Sequence, residues 1–197
     1  MLRIIIGYTS FRDDVQFLLF KQDYIHNPVW KAAFYIHVFS AIVSLLAGFT
    51  QFSDDFFRKH RKLHRYFGHI YVWNILVINV PAGMVLAVYA NGLLPGRIAF
   101  VLLDSIWFIF TYKALMSAYR KDFVAHKNYM IRSYALTFSA ITLRTWKTIL
   151  SNSFDIDPIE LYMIDAWMGF VPNLLVAEWI IRFKKQKSVD QRLNGKA

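Results

Sequence analysis

The sequence predicts an all-α fold, a polytopic transmembrane helix bundle of five spans with an N-terminal amphipathic segment. Three observations predict it. The 197 residues are 56% hydrophobic and 18% aromatic, more than a water-soluble domain of this length carries. Five apolar runs approach the length of about 20 residues that a helix needs to cross a hydrocarbon core of about 30 Å. Between those runs lie short segments rich in charge and turn formers, which no hydrocarbon region would hold.

Residues 1–28 form the first segment. Its opening, MLRIIIGYTSFRDDVQ, has an apolar patch too short for a signal peptide and no small-residue cleavage site, so no cleaved targeting peptide is expected. Phe11, Val15, Leu18 and Leu19 share one face of a helix, which predicts an amphipathic segment lying on the outer surface; a missing or shortened extra span is the competing reading. The bundle is expected over 29–183, with spans at about 30–52, 66–90, 98–118, 129–150 and 161–183, followed by a basic tail over 184–197. Gly48 marks the end of the first span, Pro81 and Gly83 interrupt the second, and Gly169 and Pro172 interrupt the fifth, with Asn173 following. No internal repeat accompanies these breaks.

Lys and Arg set the orientation, because cytoplasmic loops retain positive charge. Arg58, Lys59, Arg61, Lys62 and Arg65 follow the first span, Arg120, Lys121 and Lys127 follow the third, and the tail adds more, Lys196 included. The opposite side holds Arg3, Arg12, Lys21, Lys31 and Arg97, and the loop before the fifth span is acidic, with Asp155, Asp157 and Glu160. This predicts an outer N-terminus and a cytoplasmic C-terminus. The net charge of +10 then reflects anionic headgroups, and no nucleic acid is expected as a partner, since the basic residues cluster between apolar runs. Cysteine is absent, which excludes disulfides, thiol nucleophiles and cysteine-bound clusters.

Arg144 sits inside the fourth apolar run. A charge at the centre of a span costs about 2.5–3.5 kcal/mol on insertion scales, so such groups face the protein interior and find partners. At 100° per residue, Ser133, Thr137, Ala140, Arg144, Thr148 and Ser151 fall on one small, polar stripe. With about 1.5 Å of rise per residue, the charged side chains sort into two layers. An outer layer holds His37, Asp104, Arg144, Lys147 and Asp165; an inner layer holds His69, Lys113, Arg132 and Glu178, with His64 and His126 at the cytoplasmic boundary. Each layer has both signs, which predicts buried ion pairs: Arg144 with Asp104 or Asp165, and Glu178 with Arg132 or Lys113. For Lys113 and Arg132, snorkelling to the headgroups is the alternative.

Histidine is the strongest ligand type present. A b-type haem between helices needs two imidazoles at similar depth, which His64 or His69 against His126 would supply, while His37 has no partner at its own depth. His60 and His64 stand four apart in zinc-binding register, but five Lys and Arg crowd the same stretch and no acidic third ligand is near. No nucleophile elbow or comparable hydrolytic signature occurs.

Four stretches, FYIHVFSAIVSLLAGFTQF, LHRYFGHIYV, HKNYMIRSYALTFSAITLR and PNLLVAEWIIR, together resemble the bacterial predicted membrane proteins known as domain of unknown function 2306. The resemblance spans Asn27 to Arg182 and places His37, His64, Arg65, His126, Arg132, Arg144, Asn173 and Glu178 at the family's recurrent polar positions. It implies a polytopic protein of a bacterial cytoplasmic membrane, with no settled activity. Three classes then fit the sequence. One is a haem-binding or redox-linked protein with a redox partner, using His64 or His69 with His126 and an outer proton or quinone site at His37. Another is a transporter of a small molecule or ion, with a polar path along Asp104, Thr137, Arg144 and Asp165. The third is a non-catalytic accessory protein. The concentration of histidine on the cytoplasmic side favours the first.

Overall fold

The structure, a computed structural model, describes residues 6–52 and 59–194. Arg3, Arg58 and Lys196, used above to orient the chain, lie outside the described residues. After a 3-10 turn at Gln16–Lys21 come eight α-helices: α1 (Pro28–Phe49), α2 (Arg61–Trp73), α3 (Val80–Val88), α4 (Leu93–Tyr119), α5 (Phe123–Thr137), α6 (Ser139–Ser153), α7 (Pro158–Met168) and α8 (Val171–Asn194). They stack end to end into five columns: α1, α2 with α3, α4, α5 with α6, and α7 with α8. The result is an all-α membrane bundle.

Local chemistry explains the starts. Asn27 caps α1, its side-chain oxygen accepting from the Val29 and Trp30 amides at 3.0 and 3.3 Å, with Pro28 at the first helical position, where its missing N–H costs nothing. Asp122 and Asp157 cap α5 and α7 in the same way, at 2.9 Å to the Ala125 amide and 2.8 Å to the Ile159 amide. The tight link from α4 into α5 runs through Lys121, which follows the Arg120 cap of α4 and takes a left-handed φ of 61°.

Pro28–Phe52, Arg61–Val88, Leu93–Tyr119 and Pro158–Gln186 are each long and apolar enough to cross a membrane. The column of α5 and α6, expected as the fourth of five spans, falls short of that apolarity among the described residues. It carries Arg132, Arg144 and Lys147, and it turns at Phe138. Outward faces are apolar elsewhere: α1 alone exposes Val29, Ile36, Val43, Leu46 and Phe49. Side chains that water would reject are placed where lipid would lie.

The second column is continuous but not regular. Residues Asn74–Asn79 form a π turn, with the Val80 amide donating to the Ile75 carbonyl, immediately ahead of Pro81. Pro81 cannot donate to the preceding turn, and the extra residue of the π turn absorbs that loss. It also buries two asparagines. Asn74 donates to the Ser44 hydroxyl at 2.7 Å and the Ser40 carbonyl at 2.8 Å, locking the column to α1.

Gly48 does not end the first helix, which continues to Phe49. It is a crossing point, where an added Cβ would lie 2.8 Å from Tyr71 Cε2 and closer still to the Tyr134 ring. Beside it, Tyr71 is fully buried and its hydroxyl bonds those of Ser133 and Thr137 at 2.9 and 2.8 Å, with Thr111 completing the cluster at 2.7 Å from Ser133. Those hydroxyls occupy the inner half of the small polar stripe read from the sequence.

Segment 6–27 differs from the amphipathic helix expected of it. Tyr8, Leu18, Lys21 and Ile25 are buried, whereas Phe11 and Leu19 are exposed. An aromatic cluster with Trp30 and Phe34 on α1 holds the segment down, with the Tyr8 ring edge-on to Phe34 at 5.1 Å. Lys21 reaches across to the loop after α3, donating to the Tyr89 carbonyl and, at 2.5 Å, to the Asn91 side-chain oxygen. The segment thus folds over one end of the bundle.

Candidate functional site

Beneath that segment lies a cavity of about 730 Å³, its surface mostly apolar. Phe34, His37 and Ala41 of α1 form one wall; Ala140, Leu143 and Arg144 of α6 form the facing one. Leu103, Asp104 and Trp107 of α4 lie on the floor with Thr137, and Asp165 enters from α7. Tyr8, Phe17 and Lys21 roof it. The five charged residues assigned to an outer layer, His37, Asp104, Arg144, Lys147 and Asp165, therefore line one space.

The wall formed by α6 is loose. Among its residues only Ser139 is buried, and the helix packs chiefly on α7 rather than on α1. Leu19, Phe20, Lys147 and Thr148 are exposed yet line the cavity. They mark a lateral opening between α1 and α6.

Inside, the charges are arranged otherwise than expected. Neither Arg144 nor Lys147 comes within 4.0 Å of a carboxylate among the described residues, so the predicted pairs with Asp104 and Asp165 do not form. Arg144 instead donates to the carbonyl of Ala140, one turn back on its own helix, and faces Tyr8 and His37 across the cavity. Asp165 is 2% exposed and, among the described residues, neither carboxylate oxygen has a hydrogen-bond partner. Asp104 is 6% exposed and seats its carboxylate against the backbone of Gly83, where an added Cβ would lie 3.1 Å from Oδ1. A glycine that reads as a helix breaker in sequence is the space this carboxylate occupies. Depth from the helical rise placed these groups at one level; it could not say that the space between them is open.

His37 is fixed by donating from Nδ1 to the Asn79 carbonyl at 3.3 Å, which in the neutral ring leaves Nε2 as its acceptor. The other candidate ligands sit elsewhere. His126 donates from Nδ1 to the Ala114 carbonyl at 2.8 Å, His64 is half-buried within electrostatic reach of it, and His69 is exposed. None of those three lines the cavity. Among the described residues, no group of three or more metal-ligating side chains gathers.

Arg132 and Glu178 pair through two parallel contacts, the second at 3.0 Å from Nη2 to Oε2. Their side chains are 20% and 37% exposed, so this pair lies at the perimeter, not in a buried layer. Tyr129 serves both nearby cations, its ring centre 5.5 Å from the Arg132 guanidinium and 5.6 Å from Lys113 Nζ.

The model of the family described as Predicted membrane protein (DUF2306) matches residues 34–181. The chain belongs to that family. No curated protein and no solved structure matches it. The matched stretch of this DUF2306 protein runs from Phe34 on α1 to Ile181 on α8 and includes His37, Asp104, Arg144 and Asp165. The roof residues Tyr8, Phe17 and Lys21 lie ahead of it.

Asn173 takes a structural position. Its amide donates to the Ala135 carbonyl at 3.1 Å, the Thr142 hydroxyl at 2.9 Å and the Gly169 carbonyl at 3.2 Å. The turn at Phe138 between α5 and α6 and the turn at Gly169–Phe170 between α7 and α8 face each other across this amide. The two breaks together form the frame from which Arg144 and Asp165 reach the cavity. Sequence reasoning missed Lys21, Asn74 and Asn79, all buried. For Lys21, the signal available was a lone lysine in an aromatic stretch, FLLFKQDY.

Proposed function

We propose that this multi-pass membrane protein binds an amphipathic small molecule in the cavity and passes it between lipid and the face roofed by segment 6–27. One observation carries the reading. Asp104, Thr137, Arg144 and Asp165, the residues that a transport path would need, line a single apolar cavity with a lateral opening. Ligand sites combine an apolar lining with a few convergent polar groups, and unsatisfied buried charge is retained where a ligand completes it. In the orientation that the basic loops support, the roofed end faces outward and α8 ends in the cytoplasm.

A second reading keeps the redox class. His126 is oriented by its bond to the Ala114 carbonyl, as metal-ligating imidazoles usually are, and His64 is near it. A b-type haem there would be held by those two rings and would supply one-electron transfer to a redox partner. A Soret band lost on His126→Ala supports it; a colourless protein after haem-supplemented expression contradicts it.

The cavity reading is tested by photocrosslinking. A diazirine-bearing alkyl amphiphile in vesicles should place adducts on peptides carrying Ala41 and Leu143, and Ala140→Trp, which fills the cavity, should remove them. Adducts spread over outward positions such as Val43 and Ile109, unchanged by Ala140→Trp, would contradict it.

A further inference from the structure

Besides Lys21, four charged side chains line the cavity, Asp104, Arg144, Lys147 and Asp165, and none forms an ion pair within 4.0 Å among the described residues. Asp165 offers two buried oxygens with no donor, and Asp104 is almost as deeply buried. A carboxylate in that state calls for hydrogen-bond donors, and a primary ammonium brings three on a single positive charge. Arg144 has five N–H donors, of which one is used, among the described residues, by the Ala140 carbonyl. Its planar fork matches a phosphate, and Lys147 at the exposed rim adds a second positive charge.

Arg144 and the two carboxylates also separate in space, while Lys147 at the rim lies within electrostatic reach of Asp165. Arg144 faces Tyr8 and His37, on the side of α1, whereas the carboxylates enter from α4 and α7. Lys21 in the roof is already held by the Tyr89 carbonyl and the Asn91 side chain; the two cations and two carboxylates left to meet a ligand sum to zero, so a ligand of zero net charge with separated ends suits them. An anionic head would satisfy Arg144 and leave Asp165 bare. The apolar remainder of the lining, and the gap between α1 and α6 beside Leu19 and Phe20, provide a route for hydrocarbon.

From this arrangement we infer that the cavity takes the head of a zwitterionic phospholipid bearing a primary amine, its ammonium on Asp165 and Asp104, its phosphate on Arg144 and Lys147, and its chains leaving between α1 and α6. The inference rests on the reading of the cavity as a ligand site. A choline head fits less well, because its quaternary ammonium has no N–H for Asp165.

The purified full-length chain can be titrated with diheptanoyl phosphatidylethanolamine, the phosphatidylcholine and phosphatidylglycerol of the same chain length, glycerophosphoethanolamine and dodecyl maltoside. Tryptophan fluorescence is the readout, since two of the six tryptophans, Trp30 and Trp107, lie on the cavity, and Trp30→Phe with Trp107→Phe should remove the change. Phosphatidylethanolamine should bind about tenfold tighter than the other two phospholipids, and Asp165→Asn and Lys147→Gln should each remove about that factor. Lys147 is exposed, so its variant folds whatever becomes of the others. Asp165→Asn should leave phosphatidylglycerol binding unchanged or improved. Equal binding of all three phospholipids and the maltoside would overturn the inference while leaving the ligand site standing. Binding of glycerophosphoethanolamine as tight as that of the lipid would overturn the assignment of a lipid, in favour of a free head group. No binding by any of them would overturn both readings.

Discussion

The side-chain amide of Asn173 donates to the hydroxyl of Thr142 at 2.9 Å, joining two helical columns at the points where each is interrupted. Thr142 in turn donates to the Gly169 carbonyl at 2.5 Å, so both turns are stitched by the same pair. Helix ends leave carbonyls without intrahelical donors, and in a membrane no water replaces them. Here the Ala135 and Gly169 carbonyls are answered by one amide.

Asn173→Leu should therefore destabilise the protein by about 1–3 kcal/mol, the cost of leaving buried polar groups without partners. A lowered midpoint of thermal unfolding checks this. Thr142→Val should lower it too, and Thr142→Ser, which keeps the hydroxyl, should recover most of the loss. No change in Asn173→Leu would mean that the two turns are held by packing alone.

Gly48→Ala should cost about 1–3 kcal/mol, as overpacking at a close crossing does. The added methyl would meet both Tyr71 and Tyr134. Tyr134→Leu in the same chain should relieve part of that penalty, which a double-mutant cycle in thermal unfolding would read as coupling.

Asp165→Asn should raise thermal stability in the absence of ligand. The substitution keeps the shape and removes a charge that is 2% exposed and forms no ion pair within 4.0 Å among the described residues. Photocrosslinking to the cavity should fall in the same variant, separating a stability role from a binding one. A loss of stability would show that a partner for Asp165 exists in the folded protein.

Lys21 gives the bundle a pH dependence. Burial beneath the aromatic roof, reinforced by the charge of Arg97 and opposed by Asp23, brings its pKa down from 10.5 to about 8. The unfolded chain then holds the proton more tightly than the folded one between those two values. Stability from this group rises with pH through that window and is at its lowest below about pH 8. The difference in unfolding midpoint between the native chain and Lys21→Met should grow in favour of the native chain from pH 7 to pH 10, a range that starts below the folded pKa of about 8 and covers most of the window up to 10.5. A flat difference would contradict the burial of this amine.

The columns were legible in the sequence because a 20-residue apolar run has few alternatives to a spanning helix. Lys21 in the roof was not legible, but the cavity's charged residues on the helices were, since the cost of placing Arg144 or Asp165 in an apolar helix marks them whatever their partners. Their pairing was not. Sign balance within a layer says that ions could meet, but whether they do depends on how α6 leans away from α1, a tertiary matter. The π turn at Asn74–Asn79 escaped for another reason: hydropathy is blind to one extra residue in a turn. Segment 6–27 misled because Phe11, Val15, Leu18 and Leu19 match helical periodicity by position, while Tyr8, Trp30 and Phe34 decide its actual fold through ring packing.

The central claim is an open cavity, lined by charge, inside an apolar bundle. Cysteine is absent from the sequence, so single-thiol variants report on one position each. Ala140→Cys on the cavity wall and Val43→Cys on the outward face of α1 can be exposed in membranes to a charged, membrane-impermeant methanethiosulfonate reagent, which attacks only hydrated thiolate. Modification of position 140 and not of position 43 is the predicted result. Equal modification of both, or of neither, would contradict the claim.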